Sequence, residues 1–366
     1  MADIMLSLQE NTKNKKQTDT ASFDMLPERE RLILTCIVES FVENAKPIGS
    51  RYLAKKYNLA VSPATIRNVM TDLEDMGFIM QPHTSAGRIP TDKGYRFFVD
   101  GLMSVQRLLK QQQRTILDKL RKVSVDVDDI LYASSQVLGE ISKQLGVVLA
   151  PRFYQGIFQK IELVPIADNK ILVVISIKSG LVKTIMMELE SKVSRDRLNE
   201  TCWIINERLS GLSLKEIKET IDKRMSDVAY GDAGLIRMLI ESSDKLFSFA
   251  EHRDVHLGGA RNIVSNPEFS DQEHLTKIIE LLESKQIILH LFNKNENDNK
   301  ISISIGEENK EELFKNCSII ATSYHIGDVA GTLGVVGPTR MEYGKIVPLV
   351  DYVARALTQL LTVQMS

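Results

Sequence analysis

The sequence predicts a multidomain α+β protein, and three observations carry that reading. At 366 residues, with 43% hydrophobic content, the chain can fill the cores of roughly two or three domains. Pro47–Asp100 sets two short helices, a tight turn and a basic, glycine-centred hairpin in one stretch. Further on, short β-rich runs split by turn residues alternate with helical apolar stripes.

Residues 1–25 are polar, carry Lys13, Lys15 and Lys16, and read as a disordered arm. Met25–Asn44 is the first helix, with Ile33, Leu34, Ile37, Val38 and Phe41 on its core side. In the second helix Ser50 is a candidate N-cap, and Leu53, Ala54 and Tyr57 recur at helical spacing before Asn58–Val61 breaks the run. Ser62 is the next N-cap. Pro63 stands at the first helical position, where its missing N–H costs nothing, and Gly77 stops the helix after about Met76. Ile66, Val69, Met70, Leu73 and Met76 form its apolar stripe, while Ala64, Thr65, Arg67, Asn68 and Thr71 lie off it. Small, hydroxyl, guanidinium and amide side chains are the set that touches base edges and phosphates in a major groove. Asp72, Glu74 and Asp75 gather at the far end, so the N-terminal end, where such helices usually meet DNA, is free of negative charge. Phe78–Gln81 is a short strand, and residues 82–90 turn back. Gly87 is expected to supply backbone freedom at the tip, with His83 and Arg88 set to meet phosphate or a minor groove.

Cap, proline, stop and hairpin in that order spell a winged helix-turn-helix, so the expected partner is double-stranded DNA. From residue 46 to 96 there are eight Lys/Arg (46, 51, 55, 56, 67, 88, 93, 96) against four acids (72, 74, 75, 92), a local balance of +4 on a chain whose net charge is −2. The expected contact set is Ser50, Ser62, Ala64, Thr65, Arg67, Asn68, Thr71, His83, Thr84, Ser85, Gly87 and Arg88.

Tyr95–Val99 closes this domain. From about Gly101 to Leu145 the pattern is helical, a linker helix and then one that packs on the next domain. Phe158–Pro165, Ile171–Ser176 and Leu181–Leu189 are strands separated by turn chemistry, and Leu198–Leu209 is a helix. Leu214–Met225 and Leu235–Ala250 are helical and interrupt the strand pattern. Strands resume at Gln286–Phe292, Ile301–Ile305, Ser318–Tyr324 and Gly327–Val336, before a final helix at about Val347–Thr362. Three strands, an interruption and four more strands with flanking helices predict an α+β sheet domain.

The runs SPATIRNVMTDLEDMG (Ser62–Gly77) and PHTSAGRIPTDKGYRFFVDGL (Pro82–Leu102) resemble the HrcA family of heat-inducible transcription repressors. LPERERLILTCIVESFVENAKPIGS upstream is similar to that family's first helix. The likeness continues more weakly through GGARNIVSNPEF (Gly258–Phe269) and GTLGVVGPTRMEYGKIVPLVDYVA (Gly331–Ala354), and so covers about Leu26 to the C-terminus. The resemblance implies a GAF-like fold for the sheet domain, with an inserted dimerisation domain. On that basis residues 26–103 form the DNA-binding domain, 104–209 and 269–366 the two parts of the GAF-like domain, and 210–268 the insert. It also implies a homodimer on an inverted-repeat operator, CIRCE, with activity maintained by the GroEL/GroES chaperonin.

The residues offer no catalytic constellation, and no cofactor is expected. His252 and His256 have the i,i+4 spacing that can hold a metal on a helix, but Arg253 and Asp254 follow where a zinc hydrolase needs its acid, and Gly258-Gly259 already ends the helix. Gly327, Gly331, Gly334 and Gly337 sit in a strand-turn pattern, not before a helix, so they make no phosphate cradle. Cys36, Cys202 and Cys317 share no metal spacing; the first two read as buried thiols, which suits a reducing cytoplasm. No signal peptide or apolar run of transmembrane length is expected. A dimeric repressor of chaperone operons is the leading reading. A transcription factor gated by a small molecule in the GAF-like domain is the alternative, and a non-DNA interaction protein or enzyme a third.

Overall fold

The computed structural model describes residues 26–84, 86–123, 126–189, 192–226, 233–247, 255–293 and 300–364. The arm expected at 1–25, the hairpin residue Ser85 and His252 lie outside them.

The N-terminal unit contains α1 (Glu28–Asn44), α2 (Ser50–Lys56), α3 (Pro63–Asp75), a hairpin of β1 (Ile79–Met80) and β2 (Ile89–Pro90), and α4 (Asp92–Phe97). Ile33, Leu34, Ile37 and Val38 of α1 are buried at the expected positions, with Leu53 of α2 and Ile66, Val69, Met70 and Leu73 of α3. A π-turn at Phe98–Leu102 leads to α5 (Lys110–Arg121) and α6 (Val127–Ser142).

Two further sheets follow where one was expected. The larger has five antiparallel strands in the order β7-β3-β10-β9-β8: β3 (Leu145–Leu149), β7 (Val255–Gly258), β8 (Ser302–Ile305), β9 (Cys317–Ile326) and β10 (Val329–Pro338). Alternate residues face two helical layers. Val148, Ile320, Leu333 and Val335 pack with α6 and α14 (Tyr343–Gln364). Val147, Ile319, Ala321 and Val336 pack with α12 (Gln272–Glu283) and α13 (Lys285–Asn293), beyond the short α11 (Ala260–Val264). Strands covered on both faces carry near-continuous apolar runs, as β3 (LGVVL) does.

The smaller sheet is a meander of β4 (Phe158–Ala167), β5 (Lys170–Ile177) and β6 (Val182–Glu188). It pairs with no strand of the larger sheet and has its own core. There Leu163, Val173 and Ile185 meet α7 (Arg195–Leu209), α8 (Leu214–Met225), α9 (Ala233–Glu241) and α10 (Ser243–Phe247). The expected boundary at 209/210 therefore falls inside one core. The separate unit is the chain between β3 and β7, and Leu149 and Val255, where the chain leaves the large sheet and returns, are register partners. Adjacent ends are what let a unit be inserted without distorting its host.

Three local expectations also change. Gln286–Phe292 is helical, because Ile288, Leu291 and Phe292 are buried at i, i+3, i+4 spacing, a pattern seven residues cannot distinguish from a buried strand. His256–Gly258, expected where a helix ends, is strand β7. Leu145, expected to end a helix, opens β3. The GGARN run has a packing role: a Cβ on Gly258 would lie 2.0 Å from the Ser135 carbonyl oxygen, and Asn262 Nδ2 donates to Gly139 O at 2.8 Å. Among the described residues no helix is long and apolar enough to cross a membrane, and no group of three metal-ligating side chains occurs.

Candidate nucleic-acid interface

The first turn of α3 forms as its sequence directs. Ser62 Oγ accepts from the Thr65 N–H at 3.1 Å, Pro63 follows at the first helical position, and no acid stands in the first turn. At the other end Gly77, at φ +75°, donates its N–H to Glu74 O, and the Phe78 N–H reaches back to Leu73 O at 2.9 Å. That left-handed stop is the conformation glycine adopts without strain. The turn before α3 uses Asn58 at φ +47°, a residue that tolerates the left-handed region. One expectation shifts here. Gly49 is the N-cap of α2, and Ser50 is its first helical residue, half-buried and making no cap bond.

Ser62, Ala64, Arg67, Asn68 and Thr71 are exposed along α3, and Thr65 is half-buried. The Ser62 and Thr65 hydroxyls lie 2.9 Å apart, and Thr71 Oγ1 donates to Arg67 O at 3.1 Å, so these hydroxyls are already engaged within the helix. Ser62→Ala should lower stability by about 0.5–2 kcal/mol through loss of the cap, read as a lower melting temperature. Ser62→Asp should restore the stability while weakening DNA binding, because its carboxylate would face phosphate. Equal DNA affinity for Ser62→Asp and the parent would remove this end of α3 from the interface.

The hairpin tip is held internally. Gln81 Nε2 donates to Thr84 O and Ala86 O, each at 3.0 Å, and His83 and Thr84 are exposed beside it. Gly87 acts differently from expectation. Its φ is not in the left-handed region, and a Cβ there would lie 2.5 Å from the Ile48 backbone. Glycine is needed because Ile48 and Arg88 exchange backbone hydrogen bonds at 2.8 and 2.9 Å, which ties the hairpin to the loop before α2.

Arg88 itself is not free at the tip. Its Nε and Nη2 lie 2.8 and 2.7 Å from Glu74 Oε2, so the guanidinium is taken up by the C-terminal turn of α3. Three other cations of the basic segment are likewise engaged: Lys56 with Glu43, which pushes the ammonium above its ordinary pKa, Lys93 with Met76 O, and Arg96 with Glu308 and Asp100. Lys46, Arg51, Lys55 and Arg67 are exposed, and no described carboxylate pairs with them. Lys46, Arg51 and Lys55 thus join the candidate residues, and their only sequence signal is their place in the basic run. Elsewhere, burial pushes the Cys36 thiol up to about 11 and the Cys317 thiol up to about 12, so both stay protonated and inert, and Cys202 is half-buried.

The HrcA protein C terminal domain family model matches residues 128–347. "Heat-inducible transcription repressor HrcA" of Chlorobium phaeobacteroides (strain BS1) is 42% identical over 351 residues, covering 93% of this chain and 99% of that protein. The protein of the same description from Prosthecochloris aestuarii (strain DSM 271 / SK 413) is 41% identical over 348 residues, covering 92% and 98%. A solved structure described as a hypothetical protein shares the fold with a TM-score of 0.58 at 23% identity, covering 93% of this chain and 99% of its own.

Proposed function

Because the chain belongs to the HrcA family of heat-inducible transcription repressors, we propose that it represses heat-inducible genes by seating a winged helix-turn-helix on an inverted-repeat operator. The observation that carries this reading is the exposed, acid-free N-terminal face of α3, which carries Arg67, in a unit where Lys46, Arg51 and Lys55 are also exposed with no described carboxylate beside them. α3 is the recognition helix, Arg67 and Asn68 read bases, and Lys46, Arg51 and Lys55 hold phosphate. The CIRCE repeat is the operator.

The test is a gel shift on a CIRCE duplex over a salt series. If Lys46, Arg51 and Lys55 of each copy in a dimer all meet phosphate, log Kobs should fall against log salt with a slope of about −5. Arg51→Ala should make the slope shallower without changing sequence preference. Arg67→Ala should cost about 1–3 kcal/mol and relax preference at one operator position. If Arg67→Ala binds like the parent at physiological salt, the placement of α3 is wrong.

The reading includes a homodimer, supported by the unit between β3 and β7. Val164, Leu172 and Met186 are cross-strand neighbours and form an apolar row on the face opposite the core row Leu163–Val173–Ile185. Val164 is 41% exposed, Met186 58%, and nearby Ile166 55% and Val182 57%. β5 reads KILVVISI, the composition of a strand covered on both faces, yet among the described residues only one face is fully buried. A second copy would cover the other. The expected dimer contacts thereby move from the helices after 210 to the sheet before them. Dependence on the GroEL/GroES chaperonin completes the proposal, supported by a five-stranded sheet whose strands come from both sides of the insertion.

A further inference from the structure

α4 is bonded to both halves of the molecule. Toward α3, its N-cap Thr91 donates a hydroxyl to Gly77 O at 2.7 Å, Lys93 donates to Met76 O at 2.8 Å, and Gly94 sits so close to Phe78 O that a Cβ would lie 2.0 Å from it. These groups grip the C-terminal end of α3. Toward the five-stranded sheet, Asp92 accepts from the Glu307 N–H at 2.9 Å. It does so against Gly306, at φ +55°, where a Cβ would lie 1.8 Å from the carboxylate. One turn on, Arg96 donates Nε to Glu308 Oε1 at 2.7 Å and Nη2 to Ile303 O at 2.7 Å, engages the second Glu308 oxygen, and meets Asp100 at 3.0 Å through Nη1. Alongside, Arg340 Nη1 donates to Val42 O at 2.8 Å, and the Tyr95 and Tyr343 rings lie 6.1 Å apart.

The apolar core is continuous between the N-terminal unit and the sheet, and that contact alone would keep the two attached. Apolar contact is non-directional. A bidentate guanidinium–carboxylate fork fixes an angle as well as a distance. The angle matters because α3, packed into the N-terminal unit along Ile66, Val69, Met70 and Leu73, turns with that unit about α4, which it meets at its C-terminal end. Its 13 residues span about 20 Å, so a rotation of about 10° at α4 moves the DNA-reading end by about 3.5 Å, close to one base-pair step.

We propose that Asp92 and Arg96, locked against Gly306 and Glu308, set the separation of the two α3 helices in the dimer and thereby the half-site spacing the protein accepts. The inference rests on the reading of the chain as a dimer on an inverted repeat. Arg96 and Glu308 are positioning residues that leave the reading of each half-site to α3.

The test measures affinity for single CIRCE half-sites and for CIRCE duplexes whose spacer is changed by one or two base pairs either way. The parent should prefer one spacer by about tenfold or more. Arg96→Ala and Glu308→Ala should flatten that preference to within about threefold while half-site affinity stays at the parent's value, and the double variant should match the singles, as coupled partners do. A sharp parental preference in folded Arg96→Ala, or half-site affinity falling in step with the full repeat, overturns the inference. If Arg96→Ala fails to fold, Glu308→Gln keeps the shape and removes the charge. It should also flatten the preference, and parental spacing there overturns the inference. A parent that binds no inverted repeat at all defeats the DNA reading itself, and the inference with it.

Discussion

Val164→Arg/Met186→Arg is expected to turn the dimer into a monomer and to weaken binding to the full inverted repeat by about 100-fold or more. The two side chains flank Leu172 on the uncovered face of the small sheet. In the monomer each arginine stands in water at little cost. In a dimer sealed across that face, two unpaired guanidiniums per copy would be buried, at a penalty of several kcal/mol each. Affinity for a single half-site should not change, because α3 and its cations lie in a different unit. Light scattering gives the mass, and gel shifts on half and full sites give the affinities. A variant that stays dimeric at parental affinity would move the interface elsewhere on the chain. Excising the helices after residue 210 would be a poorer experiment. Ile217, Ile221 and Leu239 share one core with Leu163, Val173 and Ile185, so the cut would unfold the sheet it was meant to spare.

Refolding from denaturant is the second large effect expected. Without chaperonin, recovery of operator binding should be slow and incomplete. GroEL, GroES and ATP should raise the yield by about threefold or more. The topology gives the reason. β4, β5 and β6 pair with their sequence neighbours, so the inserted unit can form from local contacts. The host sheet cannot: Leu149 must find Val255 on one side and Thr332 on the other. Closing such loops costs entropy before any packing repays it, which slows folding. While it waits, the inserted unit already displays its apolar face, and association through that face competes with completion of the sheet. At a stability of about 5–15 kcal/mol, a loss of a few kcal/mol on warming would then return copies to the chaperonin queue. Full, rapid recovery in buffer alone would remove the chaperonin from the mechanism and leave the DNA reading intact.

Some of this was legible in the residues. The recognition-helix candidate is specified almost wholly by chemistry within a few positions of itself: the Ser62 cap, Pro63, the apolar stripe and the left-handed stop at Gly77. Such features need no distant partner, so a one-dimensional reading finds them. The same holds for the turns of the small sheet and for the buried positions of α1. What the sequence could not determine is everything settled by a partner remote in the chain. Eight cations stand between residues 46 and 96, yet only the folded arrangement sets Arg88 against Glu74, Lys56 against Glu43, Arg96 against Glu308 and Lys93 against Met76 O, leaving Lys46, Arg51, Lys55 and Arg67 without a described carboxylate beside them. Gly87 looked like a turn glycine and is a contact glycine, because Ile48 comes to it from a different loop. Strand pairing shows the same limit. An apolar run states that a segment wants cover, but not which segment supplies it. Backbone hydrogen bonding is blind to side-chain identity, so only competition among registers in three dimensions decided that β5 pairs within its own meander while β3 waits for β7 and β10.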